Sequence, residues 1–379
     1  MRIAVNARFL LSGKLEGIGW YSFEVLRRMT KKHPEHEFIF IFDRPFSEEF
    51  IFGDNVIPVV LQPPARHPIL WYIWFEWRIP DLLKKLDVDM FLSPDGYCSL
   101  RSTIPQYLVM HDLAYIHYPK QIKFAARHFY KYFVPKYLKK ASHVFAVSNA
   151  TKRDILQHTT LTSAHVSVAY NGCRDSFVPI DESQKQKIKD DYTKGHDYFL
   201  FVGAMHPRKN VDQLIRAFDH FKQKDKTSHK LVLVGRMAWY SEKISEAYES
   251  SRYKSDIIFC DYMATETLVK ITGAATAAIC PSFLEGFGVP IAEALFCDVA
   301  VIVSDRFSLP EVGGPGAYLI NPDEYISISE AMSQVIHDPL LEKRIEQGRI
   351  HRKQFSWDQT AELIFYRMMQ DFNCSRSIF

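Results

Sequence analysis

The sequence predicts an α/β fold made of two doubly wound domains in tandem. Its 379 residues suffice for about two domains. Short runs rich in β-branched and aromatic residues alternate with segments of helical periodicity, as in parallel strands joined by crossover helices. This alternation pauses once, at the polar segment 181–194, and then resumes with an apolar strand. We therefore place an interdomain linker just before residue 198.

Composition excludes several classes of protein. Apolar residues make up 47% of the chain and charged residues 24%, which argues against disordered and collagen-like proteins. The net charge of +3 gives no support for nucleic-acid binding. The six cysteines are dispersed, so a disulfide framework or a structural zinc site is not expected. With neither a leader-like segment nor a long apolar run, the sequence predicts a cytoplasmic protein.

The first domain, residues 1–177, is predicted to hold seven strands. Its first helix carries Ile18, Tyr21, Val25 and Met29 on one stripe, the spacing that faces a sheet. The predicted strands are 2–6, 37–42, 56–61, 90–92, 106–110, 143–147 and 166–169.

The second domain, residues 178–357, repeats the pattern. Its predicted strands are 198–203, 231–235, 257–260, 277–280 and 299–304. A long amphipathic helix follows, introduced by a capping box of Ser356 and Gln359. Its apolar stripe packs either on its own domain or on the first one. The stripe consists of Trp357, Ala361, Ile364, Met368 and Phe372.

Ligands of doubly wound sheets bind in loops at the carboxyl ends of strands. The loop after the first strand contains Gly17 and Gly19 but lacks the GxGxxG fingerprint of dinucleotide-binding folds. These glycines allow a substrate to approach the backbone at a helix N-terminus. An ordinary tight turn explains them about equally well.

A second loop, 203–210, places Arg208 and Lys209 just before a helix begins. Positive side chains are unfavourable at the positive end of a helix unless an anion, such as a diphosphate, binds between them. A solvated basic turn is the alternative interpretation.

A third loop, 281–293, combines glycines, a proline and two acids. Pro290 is suited to open a helix, and Gly286 and Gly288 leave backbone amides accessible to a ligand. The carboxylates of Glu285 and Glu293 are acceptors for sugar hydroxyls, unless they serve only to stabilise the helix start. A fourth candidate is His111, which directly follows a strand of the first domain.

Together these motifs resemble the retaining glycosyltransferases of family 4, which have the GT-B architecture. The segment EGFGVPIAEAL matches the acidic motif of that family, with seven residues between Glu285 and Glu293. Other segments follow in the family's order along nearly the whole chain: GIGWYSFEVL, HDLAYIHYP, VSNATKRDI, AYNG, FVGAMHPRKN, LVLVG, SLPEVGGPGAYLINPDE and FSWDQTAEL.

The resemblance implies two Rossmann-like domains facing across a cleft, with a final helix, about 358–379, crossing back to the first. The second domain would hold a nucleotide-sugar donor and the first an acceptor. In the donor site, Lys209 and Arg208 would contact the diphosphate, Glu285 the sugar hydroxyls and Glu293 the ribose. His111 would lie near the reacting centre. The remaining implied site residues are Gly203, Gly286, Phe287, Gly288 and Val289 at the donor, and Gly17 and Gly19 in the donor and acceptor loop.

The implied reaction is retaining, metal-independent transfer of a hexosyl group, with mannose favoured, in surface-polysaccharide synthesis. It needs no cofactor beyond the nucleotide sugar, and its acceptor is a glycan or a lipid-linked molecule. Asp87-Val88-Asp89 resembles the DxD metal motif of other glycosyltransferases, but it precedes a strand, so we interpret it as unrelated to a metal. Ala204 and Asp298 depart from the family pattern. The donor's nucleotide is not determined: GDP-mannose, other GDP-sugars and UDP-sugars all fit.

Two other functions fit the same architecture: a nucleotide-sugar epimerase and a non-catalytic nucleotide-sugar-binding protein. The charge distribution adds a separate hypothesis. The first half is basic, and residues 113–153 contain no acid. Core or interdomain packing explains the aromatic cluster 71–77, and a solvated face explains the basic residues. The alternative hypothesis is that this half binds an anionic membrane surface, on the inner face of the membrane, or receives a lipid-diphosphate-linked or otherwise anionic acceptor.

Overall fold

The computed structural model describes residues 1–236 and 242–376, with side chains described up to 374. The chain forms two compact units. One contains Met1–Gly172 together with the C-terminal segment from Ser356, and the other is Cys173–Phe355. Each unit contains a parallel sheet with helices, which confirms the predicted fold class.

The sheet of the first unit has seven parallel strands in the order β3-β2-β1-β4-β5-β6-β7. The strand order reverses between β1 and β4, so the loops that follow these two neighbours run in opposite directions. The strands are β1 (Arg2–Asn6), β2 (Glu37–Phe42), β3 (Val56–Val60), β4 (Met90–Ser93), β5 (Gln106–Met110), β6 (His143–Ala146) and β7 (Val166–Val168).

Six helices of this unit precede the second unit in the chain, and a π-helical turn at Trp74–Arg78 joins the second to the third. They are α1 (Gly17–Lys32), α2 (Pro68–Ile73), α3 (Ile79–Lys85), α4 (Ala114–His117), α5 (Phe124–Lys140) and α6 (Asn149–His158). The aromatic cluster is divided between core and surface: Trp74 and Phe75 are fully buried, whereas Tyr72 and Trp77 are exposed.

The sheet of the second unit has six parallel strands in the order β10-β9-β8-β11-β12-β13. They are β8 (Tyr198–Val202), β9 (Lys230–Val234), β10 (Ile257–Cys260), β11 (Ala277–Cys280), β12 (Ala300–Ser304) and β13 (Tyr318–Ile320), the last of which the sequence did not predict. Its helices are α7 (Glu182–Thr193), α8 (Val211–Asp225), α9 (Glu242–Ser250), α10 (Thr265–Gly273), α11 (Val289–Phe296), α12 (Leu309–Gly313), α13 (Tyr325–His337) and α14 (Leu341–His351).

The polar segment that suggested a linker is helix α7. The Asp181 carboxylate accepts a hydrogen bond from Gln184 N at 2.8 Å, and the Gln184 side chain accepts one from Asp181 N at 3.3 Å. This reciprocal capping box fixes the helix start. The helix buries Ile188 in a small apolar cluster against the sheet. Its otherwise charged surface hid the helical periodicity.

The final helix, α15 (Trp357–Arg376), packs on α1 within the first unit. The Trp357 ring meets the Tyr21 ring edge-on at 5.4 Å, and Thr360 Oγ1 donates a hydrogen bond to Tyr170 O at 2.6 Å. A Cβ at Gly172 would lie 2.4 Å from Trp357 N, so this approach requires glycine. The predicted return of the last helix to the first domain is confirmed; its residues 377–379 lie outside the described part.

None of the helices in the described part of the chain has the length and apolar character of a membrane span.

Truncation of Met368 to alanine is expected to destabilise the first unit by about 2–5 kcal/mol, because this side chain of α15 is fully buried and its loss leaves a cavity. Tyr366→Ala is the matched control, since Tyr366 is 64% exposed on the same helix. Its effect should stay within about 0.5 kcal/mol. The measurement is the thermal unfolding temperature of both variants. Equal melting temperatures would contradict the packing of α15.

Candidate functional site

The reversal of strand order in the second sheet brings two predicted loops together. β8 and β11 are neighbours, and the loops that follow them are 203–210 and 281–288. Phe283 N donates a hydrogen bond to Arg208 O at 2.9 Å, and Asn210 Nδ2 donates to Pro281 O at 3.2 Å. The carboxyl edge of the sheet therefore places the basic loop directly beside the acidic one.

An ion pair between these loops forms the centre of the site. Lys209 Nζ lies 2.5 Å from Glu285 Oε1, and the side chains are only 17% and 9% exposed. Burial by itself disfavours the ionised acid, but the charges of Lys209 and Arg208 outweigh it and hold the pKa of Glu285 below its ordinary value. A hydrogen bond from Ser282 acts in the same direction. Glu285 is therefore a fixed anionic acceptor next to two cations.

The cations of the basic loop also act on a third side chain, His206. Burial, together with the charges of Arg208 and Lys209, lowers the pKa of His206. Asn210, with φ 61°, ends the 3₁₀ turn Pro207–Lys209, and α8 begins at the next residue. Two cations at a helix start form a suitable place for an anionic group.

The acidic loop is shaped by its glycine and by a buried serine. Gly288 has φ 105°, a left-handed conformation, and a Cβ there would lie 2.8 Å from the Leu309 side chain. Ser308 Oγ contacts the carbonyl oxygens of Glu285 and Phe287 at 2.7 and 2.9 Å. Helix α11 starts immediately afterwards with Pro290 in its first turn, as predicted.

The second acid of the motif, Glu293, is held by a residue that sequence reasoning missed. Arg174 Nη2 and Nε donate to Glu293 Oε1 at 2.6 and 3.2 Å, and Arg174 Nη1 donates to Thr265 Oγ1 at 2.9 Å. Both of these contacts to the acid are made by Oε1. Burial raises the pKa of Glu293, and Arg174 offsets this only in part. The sequence signal that could have identified Arg174 was its position two residues after the AYNG segment.

In the first unit, His111 directly follows β5. Its Nε2 lies 2.8 Å from Pro94 O, and since a carbonyl only accepts, Nε2 carries the hydrogen and Nδ1 is an acceptor in the neutral ring. Burial lowers the pKa of His111, although Asp112 and Asp95 act in the opposite direction. The Tyr21 ring meets the imidazole edge-on at 5.2 Å. The site thus favours a neutral imidazole.

The two glycines of the first loop have different surroundings. Gly17 begins α1 with open space around its Cα, whereas a Cβ at Gly19 would lie 2.9 Å from Phe9 O. Packing alone therefore explains Gly19. These glycines and His111 belong to the first unit, and the other predicted site residues belong to the second.

Of the two residues that depart from the family pattern, Asp298 has charged partners. Asp298 adopts a left-handed conformation, φ 57°, and pairs with Arg352 at 2.7 Å and with Arg349 at 3.1 Å.

Of the DxD-like pair, Asp89 Oδ2 accepts a hydrogen bond from Arg2 N at 2.8 Å. That contact lies where β1 and β4 begin, at the edge of the first sheet opposite the one where His111 follows β5.

One side-chain trio of the first unit has the spacing of a cation site. His117, Asp154 and His158 place their ligand atoms within 4.8 Å of one another. The Asp154 carboxylate lies 2.9 Å from His117 Nε2 and 3.1 Å from His158 Nδ1. Hydrogen bonding to Asp154 is sufficient to explain the trio.

The titration of His111 tests its surroundings. We expect its NMR titration midpoint to lie below 6.5, and Asp112→Asn to lower it further by removing a charge that favours the imidazolium. Because the unfolded chain binds the proton more tightly, the contribution of His111 to stability is complete above about pH 6.5 and declines as the pH falls towards the folded pKa. Asp54→Asn, at the opposite edge of the sheet, is the control and should leave the midpoint unchanged. A midpoint above 6.5 would contradict this assignment.

Two family models match the chain, one for each half. The model described as Glycosyltransferase Family 4 matches residues 15–177, and the one described as Glycosyl transferases group 1 matches residues 182–353.

Among characterised relatives, the O-antigen chain mannosyltransferase B of Escherichia coli is 26% identical over 62% of this chain and 65% of its own length. That match spans just under two thirds of the relative. The O-antigen chain mannosyltransferase RfbU of Salmonella typhimurium is 27% identical, with 74% of each chain covered.

Among solved structures, the sucrose-phosphate synthase of Thermosynechococcus elongatus superposes with a TM-score of 0.79 at 15% identity, covering 98% of this chain and 99% of that one. This likeness supports the two-domain GT-B fold. With both halves of the chain matched in family order, the protein belongs to the group 1 glycosyltransferases of family 4.

Proposed function

We propose that this protein is a retaining, metal-independent hexosyltransferase of surface-polysaccharide synthesis, which moves a sugar from a nucleotide diphosphate to a glycan or lipid-linked acceptor. The observation that carries the proposal is the buried pair of Lys209 and Glu285 at the switch point of the second sheet. The second unit is the proposed donor domain and the first unit the proposed acceptor domain.

The pair suits the chemistry of such a transfer. The bond between the anomeric carbon and the diphosphate breaks while an acceptor hydroxyl attacks the same face, and the hydroxyl proton passes to the leaving phosphate oxygen. Lys209 and Arg208 stabilise the negative charge that develops on the diphosphate, together with the amides of Phe287, Gly288 and Val289 at the start of α11. Glu285 accepts a hydrogen bond from a sugar hydroxyl and so orients the ring. Both acids bind substrate, and neither attacks it.

Within this proposal the donor is GDP-mannose. Its support is that two relatives with 26% and 27% identity are O-antigen mannosyltransferases. The same relatives support synthesis of a surface polysaccharide. We assign Glu293 to the ribose hydroxyls, and the hydrogen bonds from Arg174 to its Oε1 support this assignment by fixing the carboxylate.

The proposal is tested by incubating the protein with GDP-mannose, other GDP-sugars and UDP-sugars in EDTA, and by measuring nucleotide release and the products. Retaining transfer predicts nucleotide release that resists EDTA. Lys209→Ala and Glu285→Ala should each lower it by at least about 100-fold, since each loses a charged contact of about 3 kcal/mol. Circular dichroism should confirm that both remain folded.

Other outcomes would identify other functions. An isomerised donor without nucleotide release would identify an epimerase, and binding without either product would identify a non-catalytic nucleotide-sugar-binding protein. Strict dependence on manganese, or wild-type turnover in either variant, would refute the proposed site.

Arg174 is proposed as a positioning residue for Glu293, and kinetics separate this role from a general effect on stability. Arg174→Ala should raise KM for the donor about 5- to 30-fold, as expected for a lost charged hydrogen bond, with a smaller change in kcat. Arg174→Lys should recover part of the loss. Arg252→Ala, which removes an exposed arginine of the same unit, should change neither constant. A fall in kcat alone would contradict the role.

Peripheral membrane binding is also proposed, through the outer face of α5. Phe124 and Tyr132 are 71% and 58% exposed on this helix, and Lys131, Lys136 and Lys139 are exposed beside them. Exposed aromatic rings with interspersed lysines are typical of surfaces that bind anionic bilayers. We accordingly place the protein in the cytoplasm, on the inner face of the membrane.

Flotation with vesicles tests this surface. Binding should require anionic lipid, and Lys131→Ala with Lys139→Ala should weaken it by about 2 kcal/mol, at about 1 kcal/mol for each lysine. The matched control is Lys187→Ala with Lys224→Ala, which removes two exposed lysines from the second unit. Flotation that is insensitive to anionic lipid, or equal losses in both double variants, would refute the α5 surface.

A further inference from the structure

A pocket in the first unit lies outside the residues assigned above. Its volume is about 580 Å³, and it is formed by residues 10–12, Lys14, residues 44–47 and Arg66. These segments follow β1, β2 and β3, three adjacent strands of the parallel sheet. The pocket therefore opens at the carboxyl edge of this sheet, the edge where His111 follows β5.

The charge of this pocket is of one sign. Lys14, Arg44 and Arg66 line it, and no acidic residue does. Lys14 and Arg66 are exposed and form no ion pair with any described residue. A concave surface with charge of one sign concentrates the field and attracts ligands of the opposite charge.

A buried carboxylate fixes this arrangement. Asp43 is fully buried, and its two oxygens accept hydrogen bonds from Arg44 Nε at 2.5 Å and Arg44 Nη2 at 2.7 Å. Asp43 Oδ2 also accepts a hydrogen bond from Ala65 N at 2.8 Å, next to Arg66. One side chain thus orients a guanidinium and holds the segment that carries the second arginine. It neutralises only one of the three positive charges.

The rest of the lining indicates what ligand fits. Ser12 and Ser47 add hydroxyl donors, while Leu10 and Phe46 add apolar surface. Arginine and lysine with hydroxyl groups suit phosphate oxygens, and the apolar side suits a carbon chain attached to the phosphate.

We propose that this pocket binds the phosphate or diphosphate group of the acceptor. The inference rests on the proposed transferase function and adds the chemical class of the second substrate. The loop that supplies Lys14 continues into Gly17, where α1 begins, so a group held here is bound by the loop at the switch point of the first sheet.

The test measures the binding of inorganic pyrophosphate, the probe, by titration calorimetry. Because pyrophosphate is also expected to bind Lys209, all proteins carry Lys209→Ala. Adding Lys14→Ala and Arg66→Ala should weaken binding about 100-fold, at about tenfold for each charged contact. Lys84→Ala with Lys85→Ala is the control, since these exposed residues end α3 at the opposite edge of the sheet. This control should bind pyrophosphate as tightly as the protein that carries only Lys209→Ala. Equal affinity of the Lys14/Arg66 variant and the Lys84/Lys85 variant would overturn the proposal.

A second probe distinguishes the two sources of the phosphate. Decyl diphosphate that binds more tightly than pyrophosphate, and is lost with the same substitutions, supports a lipid-linked acceptor. Equal affinities support a soluble phosphorylated acceptor. If neither probe binds the protein that carries only Lys209→Ala, the proposal is overturned.

Nucleotide release by the unmodified protein is measured separately. If it occurs while the pocket substitutions leave pyrophosphate binding intact, the pocket proposal fails by itself. If no donor is turned over, the transferase proposal fails, and pyrophosphate binding still reports on the pocket.

Discussion

The site depends on one geometric constraint, the reversal of strand order within each parallel sheet. Crossover connections keep their hand, so a chain that first winds one way across a sheet and then the other must leave two neighbouring strands whose loops diverge. In the second unit these strands are β8 and β11. Their loops bring Lys209 to within 2.5 Å of Glu285, although 75 residues separate them in the chain. Neither loop alone could bury its charged side chain, but the ion pair between Lys209 and Glu285 compensates the cost of burying both charges.

Burial acts differently on the two acids of the motif because their partners differ. Glu285 faces two cations of the basic loop, and its pKa is lowered despite burial. Glu293 lies inside α11 against one cation, Arg174, and its pKa is raised. Buried charges are retained when they are paired, and breaking such a pair is costly. The first unit follows the same rule at its own switch point, where Arg8 and Asp95 form a buried ion pair 2.5 Å apart.

Strong local signals made most of the fold predictable. Continuous apolar runs identified twelve of the thirteen strands found in residues 1–236 and 242–376, because strands covered on both faces need such runs. The missed strand, β13, has only three residues and one exposed position. Helix α7 was mistaken for a linker because its local signals are few. They are the capping box at its start and a single buried isoleucine. The site loops were identifiable because glycine, proline and charge coincide there.

By itself the sequence determined the fold class, the family and the two loops that carry the proposed donor contacts, since these depend on residue type and spacing within short segments. Tertiary structure alone decided which distant groups meet. Arg174 was recognised only once Glu293 was seen against it, and the cationic pocket only once the loops after β1, β2 and β3 lay side by side. The reason is physical: a local pattern records the preferences of one segment, whereas pairing of buried charges depends on distances that the sheet order sets.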